Sequence, residues 1–337
     1  DGAVDFLAGD RMRQIASYPL RTLLSGEICV NFSDCDANVR YSRSQLAYLA
    51  RRLELPALSG LALQQPPFER RSNLAHALRE LFWTVPPDSE PGVKLARHDW
   101  FSGMMWMVAR YDPDDVDALV LAAKGGNNQE MHKQIDGGNF IVQINGEAII
   151  PDIGRGRYTK QYFGPERYDH LVNSSLGHSV PVPNGQLQEH GAEFASQLVD
   201  HRATDNEDTL ELEMKDAYPA ESGLTSLRRR VTLHREAPRG WVEIVDRASF
   251  AQGPASFENA ITTFSHVDLG EGGVVIRGDS SEVRITYDDT TVEAQLDVFE
   301  DVDLALDPAT VNRVVFTWIE RAQSGQIRQE IVTVERT

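Results

Sequence analysis

The chain has 337 residues, is 41% hydrophobic and 25% charged, and carries a formal net charge of -18. That acidity argues against nucleic acid and against an anionic membrane surface as partners. No apolar run approaches the roughly 18–20 residues of a membrane-spanning helix, and two cysteines, Cys29 and Cys35, exclude a disulfide framework whether they are free or paired. Their spacing is not that of a zinc knuckle. The first residue is Asp1 and no basic-then-apolar leader precedes it, so a processed or excised start is expected and the compartment stays open.

Residues 1–85 read as helical. Phe6, Leu7, Met12 and Ile15 suggest one or two short helices, ended at Tyr18-Pro19 because the residue before proline is pushed out of the helical region. Between Ser42 and Leu53, the positions Leu46, Leu49, Ala50 and Leu53 make one apolar stripe, with serines available as N-caps. A second stripe, Leu74, Ala77, Leu78, Leu81 and Phe82, follows Ser72 and Asn73. Such one-sided helices need a partner surface and look like part of a larger helical array. The run Val85-Pro86-Pro87-Asp88-Ser89-Glu90-Pro91-Gly92 forbids helix and ladder alike and marks the boundary between two expected domains, 1–86 and 93–337.

From about Val93 the period changes to two. Leu210, Leu212 and Met214; Val283, Ile285 and Tyr287; Val292, Ala294 and Leu296; and Val314, Phe316 and Trp318 each alternate with polar residues. Short alternating runs separated by Gly, Pro, Asp and Asn turns predict antiparallel sheets packed as a large β-sandwich.

The stretch from Lys124 to Gln188 is unusually rich in Gly, Asn, His, Tyr and Arg. Between Lys124 and Arg167 six basic side chains face five acidic ones, so this window escapes the acidity of the rest of the chain. Phe140 to Ile150 reads as a hairpin turning at Asn145-Gly146, which would set Asn139 opposite Asp152. His132, Gln134 and Asp136 are spaced to share one face of an extended strand. Asp152 falls on the other face unless Gly137-Gly138 forms a bulge that resets the parity. Either aspartate could be a turn residue, and a single histidine at a strand edge is more often solvated than chemical. Gly154-Arg155-Gly156-Arg157 lacks the following helix that a phosphate loop needs. No serine sits in a nucleophile-elbow context.

These residues carry a resemblance. His132-Lys133-Gln134-Ile135-Asp136-Gly137-Gly138-Asn139-Phe140, then Gly146 and Asp152-Ile153-Gly154, resemble the heparinase II/III family of polysaccharide lyases. So do Tyr158-Thr159-Lys160, Arg167-Tyr168, Ser174-Ser175-Leu176-Gly177-His178 and Asn184-Gly185-Gln186-Leu187-Gln188. The resemblance implies a multidomain α and β protein: the C-terminal end of an incomplete (α/α) toroid, followed by a large antiparallel β-super-sandwich. It implies cleavage of a uronate-containing polysaccharide, glycosaminoglycan- or alginate-like, by β-elimination. His132 matches the histidine that helps neutralise the substrate carboxylate. Tyr168, or less favourably Tyr158 or Tyr162, matches a cleft tyrosine able to transfer a proton. Gln134, Asp152 and His178 match positions that hold a structural zinc.

Removing a proton α to a carboxylate requires that the carboxylate charge be neutralised. A phenol, with an ordinary pKa near 10, works as a base only if cations lower it. Arg155, Arg157, Lys160 and Arg167 could supply that field, and with Asn127 and Asn128 they are the expected substrate-binding residues.

Two departures stand out. Gln134 replaces the second histidine of the family motif and is a weaker zinc ligand, so a hydrogen-bonded Gln134–Asp152–His178 cluster is the alternative to zinc. Asn127-Asn128 stands where many members have His-Asn. The toroid's Gly-Tyr segment is not found, so the chain reads as the C-terminal part of a longer enzyme, inactive alone. The partners expected are an anionic polysaccharide or oligosaccharide, the missing N-terminal half of the toroid and a second copy of the chain. The competing readings are a non-catalytic carbohydrate-binding sandwich and a glycoside hydrolase using Asp136 and Asp152.

Overall fold

The computed structural model describes residues 5–66, 74–83, 85, 92–129, 132–236 and 238–334. The expected boundary at 86–91 and the capping residues Ser72 and Asn73 lie outside them. The protein is mostly β-sheet with a few helices at the start of the chain.

Four helices come first: α1 (Asp10–Arg21), α2 (Arg43–Arg52), α3 (Ala57–Gln64) and α4 (Leu74–Phe82). Ser42 caps α2 as expected, its side chain accepting from Gln45 N at 3.4 Å. Leu46, Ala47, Ala50, Leu58, Leu61 and Ala62 close a small core between α2 and α3. Two expectations fail. First, α1 runs through Pro19 to Arg21 instead of stopping at Tyr18. Proline removes one backbone bond, but tertiary contacts hold the turn beyond it. Arg21 donates to Asp99 Oδ1 at 3.0 Å and to Trp100 O at 2.6 Å, and lies over the Phe101 ring. Second, the first 85 residues are not all helix: Leu23–Ser25 and Ile28–Cys29 form a small antiparallel hairpin. Cys29 and Cys35 are free thiols.

Beyond residue 97 every strand pairing among the described residues is antiparallel. A five-stranded sheet runs His98–Phe101, Trp106–Arg110, Val120–Lys124, Phe140–Ile144, Glu147–Ile150 in spatial order. An eight-stranded sheet spans Gln197–Ala203 to His266–Gly270, and a four-stranded sheet is built around Ala309–Trp318 and Phe257–Thr263. One core joins all three, with Phe140 and Val142, Leu212 and Ile244, and Ile261 and Phe316 as members. The alternating runs at Leu210, Val283 and Val314 face this core as their period predicts.

The five-stranded sheet does not alternate. Trp106–Arg110, Val120–Lys124 and Phe140–Ile144 are buried at every position. Their second face is covered by Leu24, Val30 and Phe32 from the N-terminal segment, against Val108, Val120 and Ile141. Polar residues on these strands, Lys124 and Gln143 among them, are therefore sealed from water. The Phe140–Ile144/Glu147–Ile150 hairpin turns at Asn145-Gly146 with φ of 51° and 69°, the left-handed pair that a two-residue hairpin requires.

Candidate functional site

The Lys124–Gln188 window divides into two places, one dry and one wet. The dry one starts where Gly137-Gly138 turns the chain into Phe140–Ile144. Lys124 N donates to Asn139 O at 3.1 Å and Gly138 N to Lys124 O at 3.0 Å. Gly138 has φ +85°, and a Cβ there would lie 2.5 Å from Met214 Cε, so any other residue would strain the backbone and displace the methionine. This turn brings Lys124 Nζ to 2.7 Å from Asp136 Oδ1, with Lys133 Nζ at 3.7 Å from the same oxygen; the side chains are 0–2% exposed. Burial works to raise Asp136, but the two ammonium groups outweigh it and hold the carboxyl at about 2. Lys124 also lies over the rings of Phe32 and Trp106, at 5.6 and 5.7 Å.

Asp152 faces the same interior. Asn139 Nδ2 donates to Asp152 Oδ2 at 2.8 Å, beyond a register shift between Val142 and Gln143, and Gly154 N donates to Asp152 Oδ1 at 2.8 Å. His178 Nδ1 lies 3.5 Å from Asp152 Oδ2, and its Nε2 lies 3.1 Å from Val172 O. That carbonyl can only accept, so Nε2 carries the proton and Nδ1 presents its lone pair to Asp152. Burial, reinforced by Asp136, pushes Asp152 up to about 8, and burial pushes His178 down to about 4. Near neutral pH the two meet as an uncharged acid and a neutral imidazole. Gln134, fully buried, gives its amide N–H to Gly154 O at 2.8 Å, leaving Oε1 without a hydrogen-bond partner.

A zinc ion can be tested against this set. The lone pairs of His178 Nδ1, Asp152 Oδ2 and Gln134 Oε1 have the right chemical type. The charge does not fit. Lys124 and Lys133 already hold Asp136, so a dication would have Asp152 as its one remaining carboxylate and two buried ammonium groups close by. Among the described residues no three His, Cys, Asp or Glu side chains gather in a metal-holding group. The donor set suits a hydrogen-bonded cluster.

The wet place is organised by a residue the sequence reading passed over. Asp34, whose side chain is 1% exposed, accepts from Arg167 Nη2 at 2.9 Å and from Tyr162 OH at 2.5 Å, and its backbone N donates to His132 O at 3.0 Å. His132 is held at φ +58°, a left-handed conformation uncommon outside glycine, and its side chain is 66% exposed. Its Nδ1 lies 3.9 Å from Asp34 Oδ2. The expected common face of His132, Gln134 and Asp136 therefore breaks after His132: the backbone is not a strand there, and Gln134 and Asp136 turn inward.

Around Asp34 lies an aromatic platform. Tyr158 and Phe163 are 44% and 58% exposed, with ring centroids 4.9 Å apart, and both flank Tyr162. Arg155 lies over Tyr158 and Arg167 over Tyr162. Tyr168 packs against His190 at 4.8 Å.

The arginines were expected to lower the phenols. Instead Tyr158, Tyr162 and Tyr168 all sit above the ordinary tyrosine value, chiefly through burial. Asp34 adds to the rise, while the arginines only partly oppose it. As placed they are proton donors. Lys160 is exposed, and Arg157 pairs with Asp303 at 3.3 Å.

Of the expected substrate-binding residues, Asn128 is misplaced for that task. It is 1% exposed and donates to Glu189 O at 2.8 Å and Gln188 Oε1 at 3.3 Å, holding the loop. Asn127 is half-buried and its Oδ1 accepts from Gln129 N at 2.9 Å. The glycoside-hydrolase pair also fails, since the side chains of Asp136 and Asp152 are fully buried and reach no sugar.

A cavity of about 660 Å³ opens beside the platform, with Asn31, Asp36, Arg155, Phe264 and Leu304 on its wall. Arg229, also missed, ties the dry place to the large sheet: it pairs with both oxygens of Asp246 at 2.8 Å and donates to Gly138 O at 2.8 Å. Nothing in the local sequence marks Arg229 apart from other strand arginines. The Ser33-Asp34-Cys35-Asp36 run was the one available hint of Asp34.

No curated protein sequence matches the chain. Among solved structures, heparan sulfate lyase HepC from Pedobacter heparinus superposes with a TM-score of 0.69 at 16% identity. The match covers 96% of this chain and 46% of that one. The heparinase III BT4657 gene product, with methylated lysines, gives 0.71 at 14% identity, over 96% and 46%. A further heparinase III structure gives 0.66 at 14%, over 96% and 48%. At these identities the likeness concerns the fold, and the chain spans about half the length of each relative. Residues 94–329 match the family model described as heparinase II/III-like, C-terminal, and the chain belongs to that family.

Proposed function

We propose that the chain is the C-terminal portion of a polysaccharide lyase that cleaves a uronate-containing polymer by β-elimination. In this reading residues 1–86 end an (α/α) toroid and 93–337 form the β-super-sandwich. The observation that carries it is the exposed His132 tethered to Asp34, which also holds Tyr162 and Arg167, within a chain of this family. His132 would sit on the uronate carboxylate and make the C5 proton removable. Tyr168 or Tyr158, as a protonated phenol, would deliver a proton to the departing O4. A base to take the C5 proton would come from the helical half, so this chain alone should show little or no turnover. The buried cluster would support the turn without a metal.

The test is the full-length protein incubated with alginate and glycosaminoglycans, followed by unsaturated-uronate absorbance. Turnover is expected, and His132→Ala should lower kcat on the order of 10²–10³-fold, the usual cost of one charge-stabilising group. Sugar binding with no turnover on any uronate polymer would select the second reading, a non-catalytic carbohydrate-binding module, which Gln134 in place of the family's second histidine favours.

A further inference from the structure

Resting on that reading, we infer that the platform selects a uronan of low charge density and discriminates against sulfated chains, with Asp34, Asp36 and Asp303 as the residues that set this preference. Each arginine of the face already has a carboxylate partner: Arg155 Nη2 to Asp36 Oδ2 at 2.9 Å, Arg157 Nη2 to Asp303 Oδ1 at 3.3 Å, and Arg167 Nη2 to Asp34 Oδ2 at 2.9 Å. Asp34 is almost fully buried, so Arg167 cannot turn to a ligand without stranding a charge in the interior. Arg155 is further committed to the Tyr158 ring. Lys160, exposed, is the one cation of this face with no ion pair among the described residues, and His132 is charged only when protonated.

A sulfated glycosaminoglycan brings several anions per disaccharide and would find few free cations to replace its counterions. The chain's net charge of -18 adds repulsion at distance. An unsulfated polymer that alternates uronate with a neutral sugar asks less: one carboxylate per disaccharide at His132 or Lys160, and apolar sugar faces against Tyr158 and Phe163, which are exposed enough to stack.

The experiment compares hyaluronan, unsulfated chondroitin, chondroitin sulfate and heparin as substrates and as ligands of the full-length protein, at low and at physiological salt. The unsulfated polymers should lead the sulfated ones by at least about tenfold in kcat/KM. The same order should hold in affinity. Asp36→Asn with Asp303→Asn frees Arg155 and Arg157, and should raise heparin affinity several-fold with a steeper dependence on salt. Equal or better use of heparin by the unaltered protein overturns the inference and leaves the lyase reading intact. So does a double variant with unchanged heparin affinity. If nothing is cleaved, the lyase reading falls, and the affinity order still decides whether charge density governs binding; heparin bound as tightly as unsulfated chondroitin overturns it.

Discussion

The two halves of the Lys124–Gln188 window use the same kinds of side chain in opposite ways. Lys124, Lys133, Asp136, Asp152 and His178 sit in an interior with 0–2% exposure, where charge must be balanced or given up. Asp152 and His178 give it up, and Asp136 keeps it only because two ammonium groups face it. A few residues away, His132 and Arg157 are exposed and Arg155 is partly so, each arginine beside its own carboxylate at the edge of water, where losing a pair costs little folding stability. The interior half fixes the chain so that the exposed half can face a ligand.

Breaking one pair in each half makes that difference measurable. Lys124→Met leaves Asp136 buried with only the more distant Lys133. It should cost about 3–5 kcal/mol, the usual penalty for orphaning a buried charge. In a chain of this size that is a drop in Tm on the order of 10 °C. Arg157→Ala, in a pair more than half exposed on both sides, should stay within about 0.5 kcal/mol. Thermal melts of the two variants side by side check the contrast; similar shifts would mean that the interior is wetter than its burial indicates.

What the sequence revealed follows the same division. The Asn145-Gly146 hairpin, the Ser42 cap and the alternating strands were legible because local rules decide them. Asn139 and Asp152 do meet as the ideal hairpin suggests, but by a side-chain hydrogen bond beyond a register shift between Val142 and Gln143 that the sequence did not announce. The solid burial of Val120–Lys124 and Phe140–Ile144 was not legible, because it depends on Leu24, Val30 and Phe32, roughly a hundred residues away, covering the second face. The same distance hid Asp34, whose partners Tyr162 and Arg167 lie far along the chain. His132 was found by motif but placed on the wrong face, because its left-handed φ is set by the tether from Asp34 and not by alternation. The persistence of α1 past Pro19 also has a distant cause, the anchoring of Arg21 at Asp99 and Trp100.

A half-buried pair gives an intermediate case between the dry and wet halves. His98, on an edge strand of the five-stranded sheet, and His201, on an edge strand of the eight-stranded sheet, bring their Nε2 atoms within 3.0 Å, and His201 stacks on Trp100 at 4.0 Å. Burial, and then His98, lower His201 below the ordinary histidine value, with Asp208 and Asp200 opposing. A histidine whose folded pKa is depressed contributes its full stability above the unfolded value of about 6.5, and that contribution is lost as the pH falls below it. Tm should therefore fall between pH 7.5 and 5.5, and His201→Gln should make that fall smaller. A variant with an unchanged pH dependence would show that the pair titrates freely.

The smallest expected effect concerns zinc, and it bears most directly on why the interior differs from a metal centre. Elemental analysis of protein purified without chelator should find well under one equivalent, and added zinc should leave Tm unchanged, since a ligand that binds the folded state stabilises it in proportion to its affinity. The reason is charge: Gln134 contributes a neutral amide where an imidazole would serve better, and Lys124 and Lys133 already occupy the electrostatic place of the cation. Gln134→His combined with Lys124→Met supplies the missing ligand and removes one ammonium. In that double variant, added zinc should recover part of the stability lost with Lys124. One equivalent of zinc in the unaltered protein, removed by His178→Ala, would show instead that the buried lysines tolerate a dication beside them.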